Sequence, residues 1–141
     1  MAGKVTKGCV HINLEGRLIG KGRPRFTKSG HTYTPERTRA AEASLAWEAQ
    51  QIMRGRGLQP FKRPIKLVIS LVVSYPKSWS KKAIQEASPF YTGKPDADNQ
   101  IKLVGDSLNG VVWEDDSQIV AIDFMRHRGV ADKIFIRVEE L

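Results

Sequence analysis

The 141-residue chain has a single cysteine, no long apolar run and no excess of acid. Cys9 has no intramolecular partner for a disulfide, which fits a reducing compartment. The longest apolar stretch, residues 67–73, is interrupted by Ser70 and falls far short of the ~20 residues that a membrane helix needs. The N-terminal residues, MAGKVTKGCVHINLEG, contain no apolar core of a secretory signal. Aromatic residues make up only 8% of the chain, while the 40% hydrophobic content is ordinary for a globular protein. These absences exclude a membrane protein and a disulfide-stapled secreted scaffold. What remains is one soluble, cytoplasmic domain over residues 1–141, with residues 1–8 as a flexible N-terminus.

Charge is what the sequence has in quantity. Lys and Arg number 23 against 15 Asp and Glu, a net +8, which points to a polyanionic partner. The distribution says more than the total. Residues 96–116 hold six acids (Asp96, Asp98, Asp106, Glu114, Asp115, Asp116) and one base, Lys102. A basic body with one acidic pocket is the layout expected of a metal-dependent nuclease. The body attracts phosphates, and the pocket would repel them unless divalent cations filled it.

The pattern of elements predicts an α+β fold: a mixed, mainly antiparallel sheet of about four strands with helices packed against it. Residues 9–19 read as a first strand and residues 20–34, rich in Gly, Pro and base, as a loop or irregular hairpin. Pro35 opens a helix of about five turns that Gly55 and Gly57 stop. The apolar run 65–75 reads as a central strand buried on both faces. Residues 78–87 predict a short helix capped by Ser78 or Ser80, and residues 96–110 a second substantial helix closed by Asn109-Gly110. Residues 111–117 begin extended and end in a turn. Two alternating runs, 118–127 and 133–139, read as an antiparallel pair joined at 128–130.

In the helix at 96–110, Ile101, Val104, Gly105 and Leu108 form the expected buried arc. Asp98, Lys102, Asp106 and Asn109 share an adjacent polar arc, with Asp96 just upstream and Asp115 and Asp116 arriving from the next turn. Carboxylates gathered in one place raise each other's pKa values unless a cation lies between them. Oxygen ligands without His or Cys select Mg²⁺ or Mn²⁺ over zinc. Lys102 would then be a fixed positive charge near a scissile phosphate. The plain alternatives stand beside this reading. Asp96 can serve as an N-cap, Asp98 can complement the helix dipole or pair with Lys102, and Glu114-Asp115-Asp116 can be a solvated turn. An EF-hand fails, because Ile101 stands where its glycine belongs and Ser107 where its last glutamate belongs.

KPDADNQIKLVGDSLNG followed by VVWEDDSQIV resembles the signature of RusA-type Holliday junction resolvases of bacteria and their prophages, and GKGRPRFT resembles that family's basic segment. The likeness spans about residues 9–140. It implies a RusA-like dimeric fold and magnesium-dependent endonucleases that cut four-way DNA junctions with paired nicks, in recombination and repair. It places metal-binding carboxylates on Asp96, Asp98 and Asp116, the catalytic lysine on Lys102, and supporting acids on Asp106 and Asp115. Some members carry Arg where this chain has Pro95, and Lys94 is the neighbouring charge that stands in for it.

Lys21, Arg23, Arg25, Lys28 and Lys94 are the expected DNA-binding residues, with a solvated loop as the plain alternative for the first four. A homodimer matches the two-fold symmetry of two incisions, with Leu103 among the interface residues because it lies opposite the expected buried arc. No membrane and no nucleotide cofactor are expected. Phe90 and Tyr91 read as base-stacking residues or, slightly favoured, as core anchors of their loop. Trp47, Trp79 and Trp113 read as packing residues. His11, His31 and His127 show no ligand spacing, although His127 with Arg126 and Arg128 would extend the basic face. The rival to the enzyme is a non-catalytic junction- or fork-binding architectural protein.

Overall fold

The computed structural model describes residues 7–22, 25–26, 32–33 and 36–141, with only the backbone described at 25–26 and 32–33. Among these, strands β1 (Cys9–Glu15), β4 (Ile65–Ser74), β5 (Ile119–Gly129) and β6 (Lys133–Glu140) form one sheet in the order β1-β6-β4-β5. Short strands β2 (Arg25–Phe26) and β3 (Thr32–Tyr33) form an antiparallel hairpin apart from it. The helices are α1 (Glu36–Gly55), α2 (Lys81–Glu86) and α3 (Ala97–Leu108). The expected α+β architecture and sheet size therefore hold.

The core lies on one face of the sheet. Val10 and Ile12 of β1, Ile134, Ile136 and Val138 of β6, and Ile65, Leu67, Ile69 and Leu71 of β4 are buried in one cluster with side chains of α1 and α3. Helix α1 contributes Leu45, Ala49 and Met53, spaced four residues apart so that one stripe faces the sheet. Alternate residues of β4 are fully buried and the others half-buried, so β4 is central but packed by helices on one face only, not on both as its apolar run predicts.

The last two strands do not pair with each other. β5 runs parallel to β4, and β6 runs antiparallel to β4 on its other side. Adjacency and matching alternation favour a hairpin, but β4, the most apolar strand, takes the middle position and both neighbours. The link at 130–132 crosses the end of β4, where Asp132 Oδ1 accepts from Ser74 N at 2.7 Å and Asp132 O accepts from Gly16 N at 3.0 Å. Those bonds satisfy backbone groups that the crossing would otherwise strand. Strand β1 ends at Glu15, four residues short of expectation. Gly8, the last residue of the expected flexible N-terminus, is bonded to Glu140 through both its N–H and its carbonyl. Residues 1–6 lie outside the described residues.

The buried face of α3 is also turned from its expected position. Gln100, Leu103, Val104, Ser107 and Leu108 are inside, while Ile101 and Gly105 are only half-buried. Leu103 is completely buried, which removes it from any subunit interface. The pattern misleads because two polar residues are satisfied internally: Gln100 Nε2 donates to Leu18 O at 2.8 Å, and Ser107 Oγ to Leu103 O at 2.6 Å. The C-terminal stop is as read, with Gly110 at φ +78°, a conformation that favours glycine. Ser80 caps α2, its side chain accepting from Ala83 N at 3.1 Å. Among the tryptophans, Trp113 is fully buried, Trp79 lies under Arg128 at 4.9 Å, and Trp47 is 58% exposed on α1, against its expected packing role.

Candidate active site

Two short segments carry the acids of interest, and each is framed by its own hydrogen bonds. The first is the start of α3. The preceding residues 89–91 lie along the edge of β5, with Arg128 N donating to Pro89 O at 2.8 Å and Tyr91 N to Arg126 O at 3.0 Å. Phe90 and Tyr91 consequently face opposite ways. Tyr91 lies under Arg126 and Arg128 at 5.2 and 4.9 Å and its hydroxyl donates to Lys94 O, so it anchors the loop. Phe90 is half exposed, its ring 5.3 Å from His127. Arg126 Nη1 then reaches Pro95 O at 2.6 Å, Gly93 O at 3.1 Å and Gln100 Oε1 at 3.3 Å. This one guanidinium ties β5 to the entry of α3.

Asp96 is the N-cap residue of α3 by backbone position, but its carboxylate makes no capping bond. Lys94 Nζ donates to Asp96 Oδ1 at 2.7 Å. Asp98 is exposed in the first turn of α3, and Lys102 is exposed one turn on, 3.8 Å from Asp106 Oδ2. Asp106 is only 27% exposed and is held from the other side by Lys21, whose ammonium also lies 2.9 Å from Glu42 Oε1. Burial pulls the Lys21 pKa down, but hydrogen bonds and Coulomb attraction to Asp106 and Glu42 outweigh it and hold the group above its ordinary value. Asp106 and Lys21 thus work as a pin between α3, α1 and the segment after β1.

The second segment is the turn after α3. Asp115 caps the single 3-10 turn Asp116–Gln118: its carboxylate accepts from Ser117 N at 3.0 Å while Gln118 Oε1 accepts from Asp115 N at 2.8 Å. The Ser117 hydroxyl and N–H hold the Asp115 carboxyl below its ordinary value. Gln118 Nε2 donates to Phe61 O and Arg63 O at 2.7 and 2.9 Å, fastening the turn to the segment before β4. Asp116 is exposed, and its Oδ1 accepts from the buried Trp113 Nε1 at 3.0 Å.

The donor chemistry of Asp96, Asp98 and Asp116, hard oxygens at the surface, suits a divalent cation such as Mg²⁺. Among the described residues, however, no three His, Cys, Asp or Glu side chains are gathered into a group able to hold one ion. Of the expected DNA contacts, Lys21 is committed to Asp106 and Glu42 and Lys94 to Asp96. Arg23, Lys28 and the side chain of Arg25 lie outside the described residues, as does His31. His127 sits opposite Val72 while Arg126 and Arg128 sit opposite Leu71 and Val73, so the histidine and the two arginines are on opposite faces of the sheet. Of the frame residues, Gln100 is not singled out by the sequence, Arg126 is read there only as part of a basic face, and Gln118 only as part of the VVWEDDSQIV motif. The signal for the framing role of Gln118 is its place three residues after a capping Asp.

A family model described as endodeoxyribonuclease RusA matches residues 15–139. The chain therefore belongs to that family of endodeoxyribonucleases. It is also similar to protein YqaN of Bacillus subtilis (strain 168), described as uncharacterized, at 27% identity over 94% of this chain and 97% of that one. Among the described residues no helix is long and apolar enough to cross a membrane.

Proposed function

We propose that this protein is a Mg²⁺-dependent, structure-selective endodeoxyribonuclease that resolves four-way DNA junctions by paired symmetric nicks. The observation that carries this reading is the exposed row Asp96, Asp98 and Lys102 at the start of α3, in a chain of the RusA endodeoxyribonuclease family. Asp96, Asp98 and Asp116 are the carboxylates that would hold the cation, with Mn²⁺ able to substitute. When bound, such an ion activates water and neutralises charge on a phosphodiester. Lys102 supplies a positive charge that stabilises the phosphate as it reacts. Lys94, on Asp96, neutralises that carboxylate until a cation or a phosphate competes for one of them. Asp106 acts through position, since its ion pairs to Lys21 and Lys102 hold the middle of α3. Asp115 likewise shapes the turn that presents Asp116.

Attack by water with departure of the 3′-oxygen, which takes up a proton, leaves a 5′-phosphate and a 3′-hydroxyl. Two symmetric incisions require two sites, which a two-fold homodimer with one site per protomer provides. The setting is the bacterial cytoplasm, with the gene carried by the bacterium or by a prophage. The test is a labelled mobile four-way junction and its matching linear duplex, each with Mg²⁺ or EDTA. Paired nicks in the junction alone, lost in EDTA, are expected. Tight junction binding without cutting in Mg²⁺ or Mn²⁺ would leave an architectural protein instead, and equal cutting of the duplex a general nuclease.

A further inference from the structure

Beside the start of α3 lies a groove of about 550 Å³ whose lining, among the described residues, carries Arg17, Lys21, Arg37 and Lys94, together with Asn99, and no acid. Its wall is the segment 18–22, held at three points: Gln100 Nε2 on Leu18 O at 2.8 Å, Lys21 N on Asn99 O at 3.0 Å, and Gly22 N on Thr38 Oγ1 at 3.0 Å. Gly20 lets this segment press against α3, since a Cβ there would come within 2.7 Å of Pro95 Cβ. Arg37 and Thr38 belong to the first turn of α1 and Asn99 to the first turn of α3. The positive ends of two helix dipoles therefore add to the field of the bases. The groove borders Lys94 and Pro95, the residues next to Asp96.

The four bases are not equivalent. Lys21 turns its ammonium to Asp106 and Glu42, and Lys94 to Asp96. Arg17 is half exposed, with Asp132 at 3.5 Å, and Arg37 is exposed on α1. These two guanidiniums stand on different elements along one groove, an arrangement that suits successive phosphates of a chain better than a single anion.

We propose that this groove holds the phosphodiester backbone of one DNA strand beside the cleavage position, with Arg17 and Arg37 as its phosphate contacts. Lys21 is a positioning residue here, holding the wall and not touching DNA. The identity of the polyanion rests on the endonuclease reading; the groove itself does not.

Binding of a fluorescent four-way junction in EDTA, followed by anisotropy across a salt series, separates the two. Arg17→Ala and Arg37→Ala should each reduce the slope of log affinity against log salt by about 0.7 to 0.9, the value of one phosphate contact. Arg37→Lys, which keeps the charge, should preserve the slope and serves as the control for folding. Unchanged slopes in both alanine variants, with thermal melts like that of the parent, would overturn the proposal. Reduced slopes in a protein that never cuts in Mg²⁺ would sustain the groove and sink the nuclease, whereas cutting with unchanged slopes would sink the groove alone.

Discussion

The start of α3 and the turn after it both bring acids to the surface, yet they are built on opposite plans. In the turn at 115–118 the acids build the structure: Asp115 is consumed in a reciprocal cap and Asp116 accepts from Trp113. At the start of α3 neither acid caps the helix with its side chain. Asp96 leaves the capping position unbonded by its side chain and Asp98 is exposed, while buried Leu103 and Gln100 and the reach of Arg126 hold the helix in place. A carboxylate spent on capping a turn, like that of Asp115, has less to offer a cation or a phosphate than one at the surface. The difference sets Asp98, exposed in the first turn of α3, and Asp96, held by Lys94, against Asp115, whose carboxylate builds its turn.

Neutralising one acid in each segment is the strongest way to break this contrast. Asp98→Asn should lower junction cleavage on the order of 10³-fold, about 4 kcal/mol of transition-state stabilisation, with melting temperature and junction affinity unchanged. Asp115→Ala should do the reverse in kind, lowering the melting temperature while leaving most of the cleavage per folded molecule. Cleavage assays beside thermal melts decide it; retained cutting in Asp98→Asn would remove that residue from the site.

The next test asks where the first segment gets its position. Leu103→Ala leaves a cavity under α3 and should cost about 3 kcal/mol in denaturant unfolding, with a dimer, if formed, left intact in light scattering. A smaller effect follows in the second segment. Gln118→Ala removes the bonds to Phe61 O and Arg63 O and should cost about 1 kcal/mol. It should also slow cleavage several-fold, because Asp116 loses the frame that presents it. An unchanged rate would show that the frame is unimportant to the chemistry.

How much of this was legible follows the same division. The polar row Asp98, Lys102 and Asp106 came from helical spacing alone, and the α+β class from the order of apolar runs. Leu103 was misplaced because helical patterning treats Gln and Ser as outward residues, and nothing local reveals that Leu18 O awaits Gln100. The β5–β6 hairpin failed for a comparable reason: strand order depends on which strand wins the centre of the sheet, a long-range competition. Lys21 looked like a free phosphate contact because its partners, Glu42 and Asp106, are distant in sequence. Spacing reports which face a residue occupies, and tertiary packing decides what partner it meets.

The mildest prediction uses pH to address the two segments separately. Lys21, which pins α3, has its folded pKa raised above 10.5, so its contribution is complete below 10.5 and lost as pH rises through the folded value. Asp115, which caps the turn, has its pKa lowered below 3.8, so its contribution is present above 3.8 and lost as pH falls through the folded value. Asp132 is lowered in the same way, chiefly by the Ser74 N–H, and shares the acid limb. Stability measured against pH should therefore lose its alkaline limb in Lys21→Met and part of its acid limb in Asp115→Asn made on an Asp132→Asn background. Both effects are small because the groups are near solvent. An alkaline limb that survives Lys21→Met would mean that other groups produce it, and the Lys21 pin would then matter only for the shape of the groove beside it.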